Sequence, residues 1–104
     1  LMGGMSCGEP SLVPWEILKK SVNNCISLPD DDIGKAMKLF ANASFGDDKI
    51  IAGENSAPGA ISLIASCNDE NIKNKINLNS SSNVLLIGCE GDTDQEMYQK
   101  LLKE

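Results

Sequence analysis

Ile33, Ala36, Met37, Phe40 and Ala41 recur at the spacing of one helical face, the firmest periodic signal in the chain. Asp30, Asp31 and Asp32 precede it, where a helix N-terminus favours negative charge, and the pattern runs out near Asn42, before Gly46. An earlier stripe of Val13, Ile17, Leu18 and Val22 predicts a helix opened by Ser11, with Pro14 tolerated in its first turn. Ala60, Ile61, Leu63, Ile64 and Ala65 are apolar nearly all round, which predicts a third helix buried on most sides, capped by Ser56 with Pro58 in its first turn. From Asn68 to Asn83 the chain is polar, and Ile72 and Ile76 allow a helical turn or two. Met97, Leu101 and Leu102 give the last helix its apolar face, and Thr93 with Glu96 has the spacing of a capping box.

Between these helices lie three short runs with a different pattern. Cys25-Ile26-Ser27-Leu28 reads as a strand ending at Pro29, and Lys49-Ile50-Ile51-Ala52 as a strand entering Gly53. Val84-Leu85-Leu86-Ile87 is continuously apolar, as a parallel strand covered on both faces would be. Helix, strand, helix, strand, helix, strand, helix is the alternation of an α/β fold with a parallel sheet, and no internal repeat or boundary divides the chain.

Composition narrows the function. The chain has 104 residues, 41% of them hydrophobic, and a net charge of −6. Its nine basic residues are all lysines and are scattered, so nucleic acid and anionic membranes are not expected partners. There is no histidine, which excludes a Ser-His-Asp triad or a His-based metal site within the chain. No apolar run is long enough for a membrane span, and no signal peptide is evident. Cys7, Cys25, Cys67 and Cys89 form no CxxC pair, and reduced cytosolic thiols are expected. The opening Leu1-Met2-Gly3-Gly4-Met5 reads as the interior of a longer protein.

In open parallel sheets ligands bind beyond the carboxyl ends of strands. Two turns occupy such places: Ala52-Gly53-Glu54-Asn55-Ser56 and Gly88-Cys89-Glu90-Gly91-Asp92. Neither has a dinucleotide or Walker pattern. On spacing alone their glycines serve tight connections equally well, and Cys89 reads equally as a small packed apolar residue. With no histidine to activate it, Cys89 is not expected to be a nucleophile.

The same segments carry a family resemblance that spans the chain in one order. Gly4-Met5-Ser6-Cys7-Gly8-Glu9-Pro10 with Trp15-Glu16-Ile17-Leu18 resembles the GLxCGEP…W-x-IL stretch of diaminopropionate ammonia-lyases. Ile26-Ser27-Leu28-Pro29-Asp30 followed by Lys35-Ala36-Met37 is similar to their ISxPDxxAAKGM segment, and Gly53-Glu54-Asn55-Ser56-Ala57-Pro58-Gly59 to SGESGAxG. Val84 to Asp94 resembles VLLISTEGDTD, with Tyr98 where the family also has a tyrosine. The chain departs from these patterns at Asp31 and Asp32, at Asn55 and Ser56, and at Gly88 and Cys89, which replace a Ser-Thr pair.

The resemblance implies a fold-type II (tryptophan synthase β-like) pyridoxal-phosphate enzyme that converts 2,3-diaminopropionate to pyruvate and ammonia. Residues 1–104 would be the C-terminal portion of its large cofactor-binding domain, part of a three-layer parallel-sheet α/β domain. It further implies a cytoplasmic homodimer, with the cofactor-bearing lysine, the phosphate loop and the acid and base residues upstream. Glu54 would lie at the cofactor ring. Gly88 and Cys89 would sit at the strand end facing the pyridine nitrogen, with Cys89 as the donor. The isolated chain should be inactive and should expose apolar surface that the remainder of the parent chain would cover. Two other readings remain: a fragment of a threonine/serine dehydratase-like enzyme, and a non-catalytic stand-alone α/β interaction module.

Overall fold

The computed structural model describes residues 1–46 and 48–103. Among the described residues five α-helices follow one another: α1 (Leu12–Ser21), α2 (Ile33–Ala41), α3 (Ala57–Asn68), α4 (Glu70–Lys75) and α5 (Gln95–Leu101). Single 3-10 turns at Asp30–Asp32 and Glu54–Ser56 lead directly into α2 and α3, and another spans Gly3–Met5.

Periodicity located these helices well, whereas the capping groups differ from expectation. Ser11 precedes α1 but makes no side-chain cap bond. Ser56 likewise caps nothing in α3, because its hydroxyl is bonded to the main chain of Glu90. At α5 the cap is Asp94, which accepts from the Met97 N–H at 2.9 Å, while Thr93 turns to Glu90. Asp69 caps α4 by accepting from Asn71 and Ile72.

Ile33, Ala36 and Met37 of α2, Ala57, Ala60 and Ile61 of α3, and Tyr98 and Leu101 of α5 form the core. Leu28, Phe40, Met97 and Leu102 pack on its margin. Gly34 lets α2 and α5 touch, since a Cβ there would lie 2.7 Å from the Leu101 carbonyl oxygen. α3 buries one face and not its whole circumference, leaving Ile64 exposed.

The expected α/β, three-layer parallel-sheet domain is not what the chain forms. Among the described residues there is no β-strand. Cys25–Leu28, Lys49–Ala52 and Val84–Ile87 are assigned no regular structure and form no ladder with one another. The second and third segments touch near their ends, through one backbone bond from the Gly53 N–H to the Glu90 carbonyl at 2.9 Å. The physical reason is that strand character lies in pairing. Apolar, β-branched runs favour a pleated surface, but a sheet needs a neighbouring backbone about 4.8 Å away along the run. Val84–Ile87 has no such neighbour, and its side chains, which read as doubly covered, are open: Leu85 is 84% and Ile87 79% exposed.

α1 is in the same condition, with no buried residue. The chain exposes 7859 Å², against about 5,700 Å² for a compact monomer of its mass. Its radius of gyration is 14.9 Å, where about 13 Å is usual for this length.

Candidate functional site

The two glycine-flanked turns singled out in the sequence meet beside the start of α3, and glycine is what lets them. A Cβ on Gly53 would lie 2.1 Å from the Gly91 carbonyl oxygen and 2.9 Å from the Glu90 Cγ. A Cβ on Gly88 would lie 3.2 Å from the Cβ and Oγ of Ser56.

Glu90 is at the centre of this contact. Its carbonyl accepts from the Gly53 N–H at 2.9 Å and from the Ser56 hydroxyl at 2.7 Å, and its N–H donates to the Ser56 Oγ at 2.9 Å. Its carboxylate Oε2 accepts from the Asn55 N–H at 3.0 Å and the Asn55 Nδ2 at 2.6 Å, and Oε1 accepts from the Thr93 hydroxyl at 3.0 Å. The Asn55 N–H holds the carboxyl below the usual carboxylate range, and the Asn55 side chain and Thr93 add to this against the opposing effect of partial burial. Asn55 Oδ1 is buried without a partner.

Glu54, expected at a cofactor ring, is half-buried, and its carboxylate accepts from the Met2 N–H of the glycine-rich opening segment. It lines a cleft of about 130 Å³ together with Gly53, Glu90, Gly91, Thr93 and Asp94. Cys89 is outside that cleft. Its exposed thiol donates a long, loose bond of 3.9 Å to the Asn55 carbonyl. The structure thus brings the turns of Glu54 and of Gly88–Cys89 together, and directs the two side chains to different surroundings.

The sequence reading missed Glu90, Asn55 and Thr93. Their only local signal is the glycine bracketing of both turns, because the bonds that tie Glu90 to Asn55 and to Ser56 span 35 and 34 residues, and only the bond from Thr93 is local.

The exposed thiol of Cys89 is the neutral donor of this region, and a weak one. No lysine lines the cleft. The Asn55 N–H at the start of the helical run, a natural place for an anion, is already occupied by the carboxylate of Glu90. Among the described residues no cluster of three His, Cys, Asp or Glu side chains is arranged to hold a metal, and no helix is long and apolar enough to cross a membrane.

No family model matches the chain, and no solved structure matches it. Curated proteins do. The chain is 33% identical over 108 aligned residues, covering all of it, to the diaminopropionate ammonia-lyase of Escherichia coli strain K12. It is also 33% identical over 106 residues, covering 98% of it, to the enzyme of that name from Salmonella typhimurium strain LT2. It spans 27% of the length of the first of these and 26% of the second. Similarity of this strength from end to end makes the chain a relative of the diaminopropionate ammonia-lyase family.

Proposed function

We propose that this chain is the C-terminal portion of the cofactor-binding region of a pyridoxal-phosphate-dependent diaminopropionate ammonia-lyase. The observation that carries the reading is the identity of 33% over the entire chain to curated enzymes of that name. The reaction is β-elimination of one ammonia from 2,3-diaminopropionate, after which water releases the α-amine as a second ammonia and leaves pyruvate. When bound, the cofactor supplies the electron sink that lets the substrate lose its α-proton and its β-amine.

The chain's own part is to present one edge of the cofactor site. Cys89 offers a neutral donor toward the ring nitrogen, Gly88 gives the backbone close passage, and Glu54 borders the ring from the neighbouring turn. The covalent lysine and the phosphate cradle belong to the rest of the polypeptide. About 2,200 Å² of surface beyond that of a compact monomer, much of it on α1 and Val84–Ile87, supports packing against that remainder, because interfaces of this size are stable. The full enzyme is a cytoplasmic homodimer in this reading, which the four unpaired thiols suit.

Assays on the full-length gene product and on residues 1–104 alone test the proposal. With pyridoxal phosphate and 2,3-diaminopropionate, the full-length protein should release pyruvate and the isolated chain none above the blank. Turnover by the isolated chain, or no turnover by the full-length protein, overturns it. Turnover of serine or threonine in place of diaminopropionate moves the protein to the dehydratases.

A further inference from the structure

Cys89 is poorly held by its own contacts. Its thiol has one bond, at 3.9 Å, which fixes little, and Gly88 before it has no side chain to anchor the turn. The next residue is held from every side. Main-chain groups of Glu90 bond to Gly53 and Ser56, one oxygen of its carboxylate takes both donors of Asn55, and the other takes Thr93. We propose that Glu90 is a positioning residue: by clasping the 88–91 turn to the start of α3, it sets how Cys89 is presented.

Several observations support this role over that of an ordinary surface carboxylate. Charge-assisted bonds are the stronger kind, and Glu90 accepts three of them. The Asn55 N–H belongs to the 3-10 turn that opens α3, so the carboxylate also lies at the favourable end of a helix dipole. The bonds to Gly53, Asn55 and Ser56 all reach across the chain, so they fix one turn relative to another and not merely within itself. The carboxyl is held ionised by the same Asn55 and Thr93 donors.

The clasp itself is independent of the enzyme reading; only its consequence for a cofactor rests on the proposal that Cys89 faces the ring. Glu90→Gln and Glu90→Ala in the full-length gene product separate geometry from charge, because both remove the charge. Glutamine can still accept from Asn55 through its carbonyl and donate to Thr93 through its amide, whereas alanine does neither. The readout is the alkylation rate of Cys89 by iodoacetamide relative to Cys25 in the same molecule, followed by peptide mass spectrometry. The ratio should stay near wild type in Glu90→Gln and rise about threefold or more in Glu90→Ala, the scale of one lost hydrogen bond. Equal ratios in the two variants overturn the proposal. If Glu90→Ala unfolds and all four cysteines react faster together, Thr93→Val decides. It removes only the bond to Oε1 and should raise the ratio about twofold, and an unchanged ratio there overturns the proposal. The cofactor absorption spectrum gives the second arm. It should shift in Glu90→Ala and not in Glu90→Gln. A changed alkylation ratio with an unchanged spectrum upholds the clasp and removes Cys89 from the cofactor ring.

Discussion

α2 and α1 are both short helices with apolar stripes, and the molecule treats them differently. α2 buries Ile33, Gly34, Ala36 and Met37 against α3 and α5, while α1 buries nothing and leaves Leu12 83% exposed. Hydrophobicity does not separate them, because Val13, Ile17 and Leu18 are as apolar as the residues that α2 buries. Contact does: α2 packs on both α3 and α5, and α1 packs on nothing closely enough to bury a residue. An apolar stripe therefore states that a face needs covering and is silent about what covers it.

The largest expected effect separates the two helices directly. Met37 is 1% exposed at the centre of the core, so Met37→Ala should cost about 2–5 kcal/mol. Leu12→Ala, at a site open to water, should stay within about 0.5 kcal/mol. Urea unfolding of the 104-residue chain measures both. Comparable losses would mean that α1 is packed after all and would erase the contrast. Gly53→Ala comes next, because its new Cβ would lie 2.1 Å from the backbone oxygen of Gly91, which cannot turn aside, and 2.9 Å from the Glu90 Cγ. A cost of about 1–3 kcal/mol is expected from such overpacking, again read from the urea midpoint. Gly8→Ala, where nothing lies within 4 Å, is its control.

Legibility in the sequence follows the same division. α2 was readable almost to its last residue because helical periodicity is a local property. The three expected strands were not, because Val84–Ile87 displays the composition of a buried strand without the partner that makes one. The same limit applied at the site. Glu54, Gly88 and Cys89 stood out through a family pattern and through glycine punctuation, and the turns containing them do adjoin. Glu90 and Asn55, which join those turns, could not be read off, since nothing in the two segments signals that they meet. Caps failed for a related reason: Ser56 has the right type and position, but Glu90 competes for its hydroxyl.

The clasp also makes the contact between the turns depend on pH. The carboxyl of Glu90 lies below its ordinary 4.5 when folded. Its contribution to stability is therefore fully present above that ordinary value and is lost as pH falls through the lower folded value. Wild-type protein should lose more stability on acidification from pH 6 to pH 3 than Glu90→Gln does, because glutamine has no proton to gain. Thermal melts at the two pH values check this, and parallel losses in both proteins would show that the carboxylate contributes nothing.

The smallest effect concerns which helix ends are held by their own side chains. Asp69 accepts from two N–H groups at the start of α4, at 2.8 Å to Asn71 and 3.0 Å to Ile72. Ser11 occupies the equivalent position before α1 with extended backbone and makes no such bond. Removing a working cap costs about 1 kcal/mol, and removing a side chain that bonds nothing should cost much less. Asp69→Ala should thus lower the urea midpoint measurably, and Ser11→Ala should leave it within error. The effect at Asp69 should reach the core, because α4 follows α3 directly and packs against it. Glu70 and Lys73 pair with each other on the surface of α4 and cannot stand in for Asp69, since their pair satisfies no backbone group. If Ser11→Ala costs as much as Asp69→Ala, α1 is more firmly seated than its exposed face indicates.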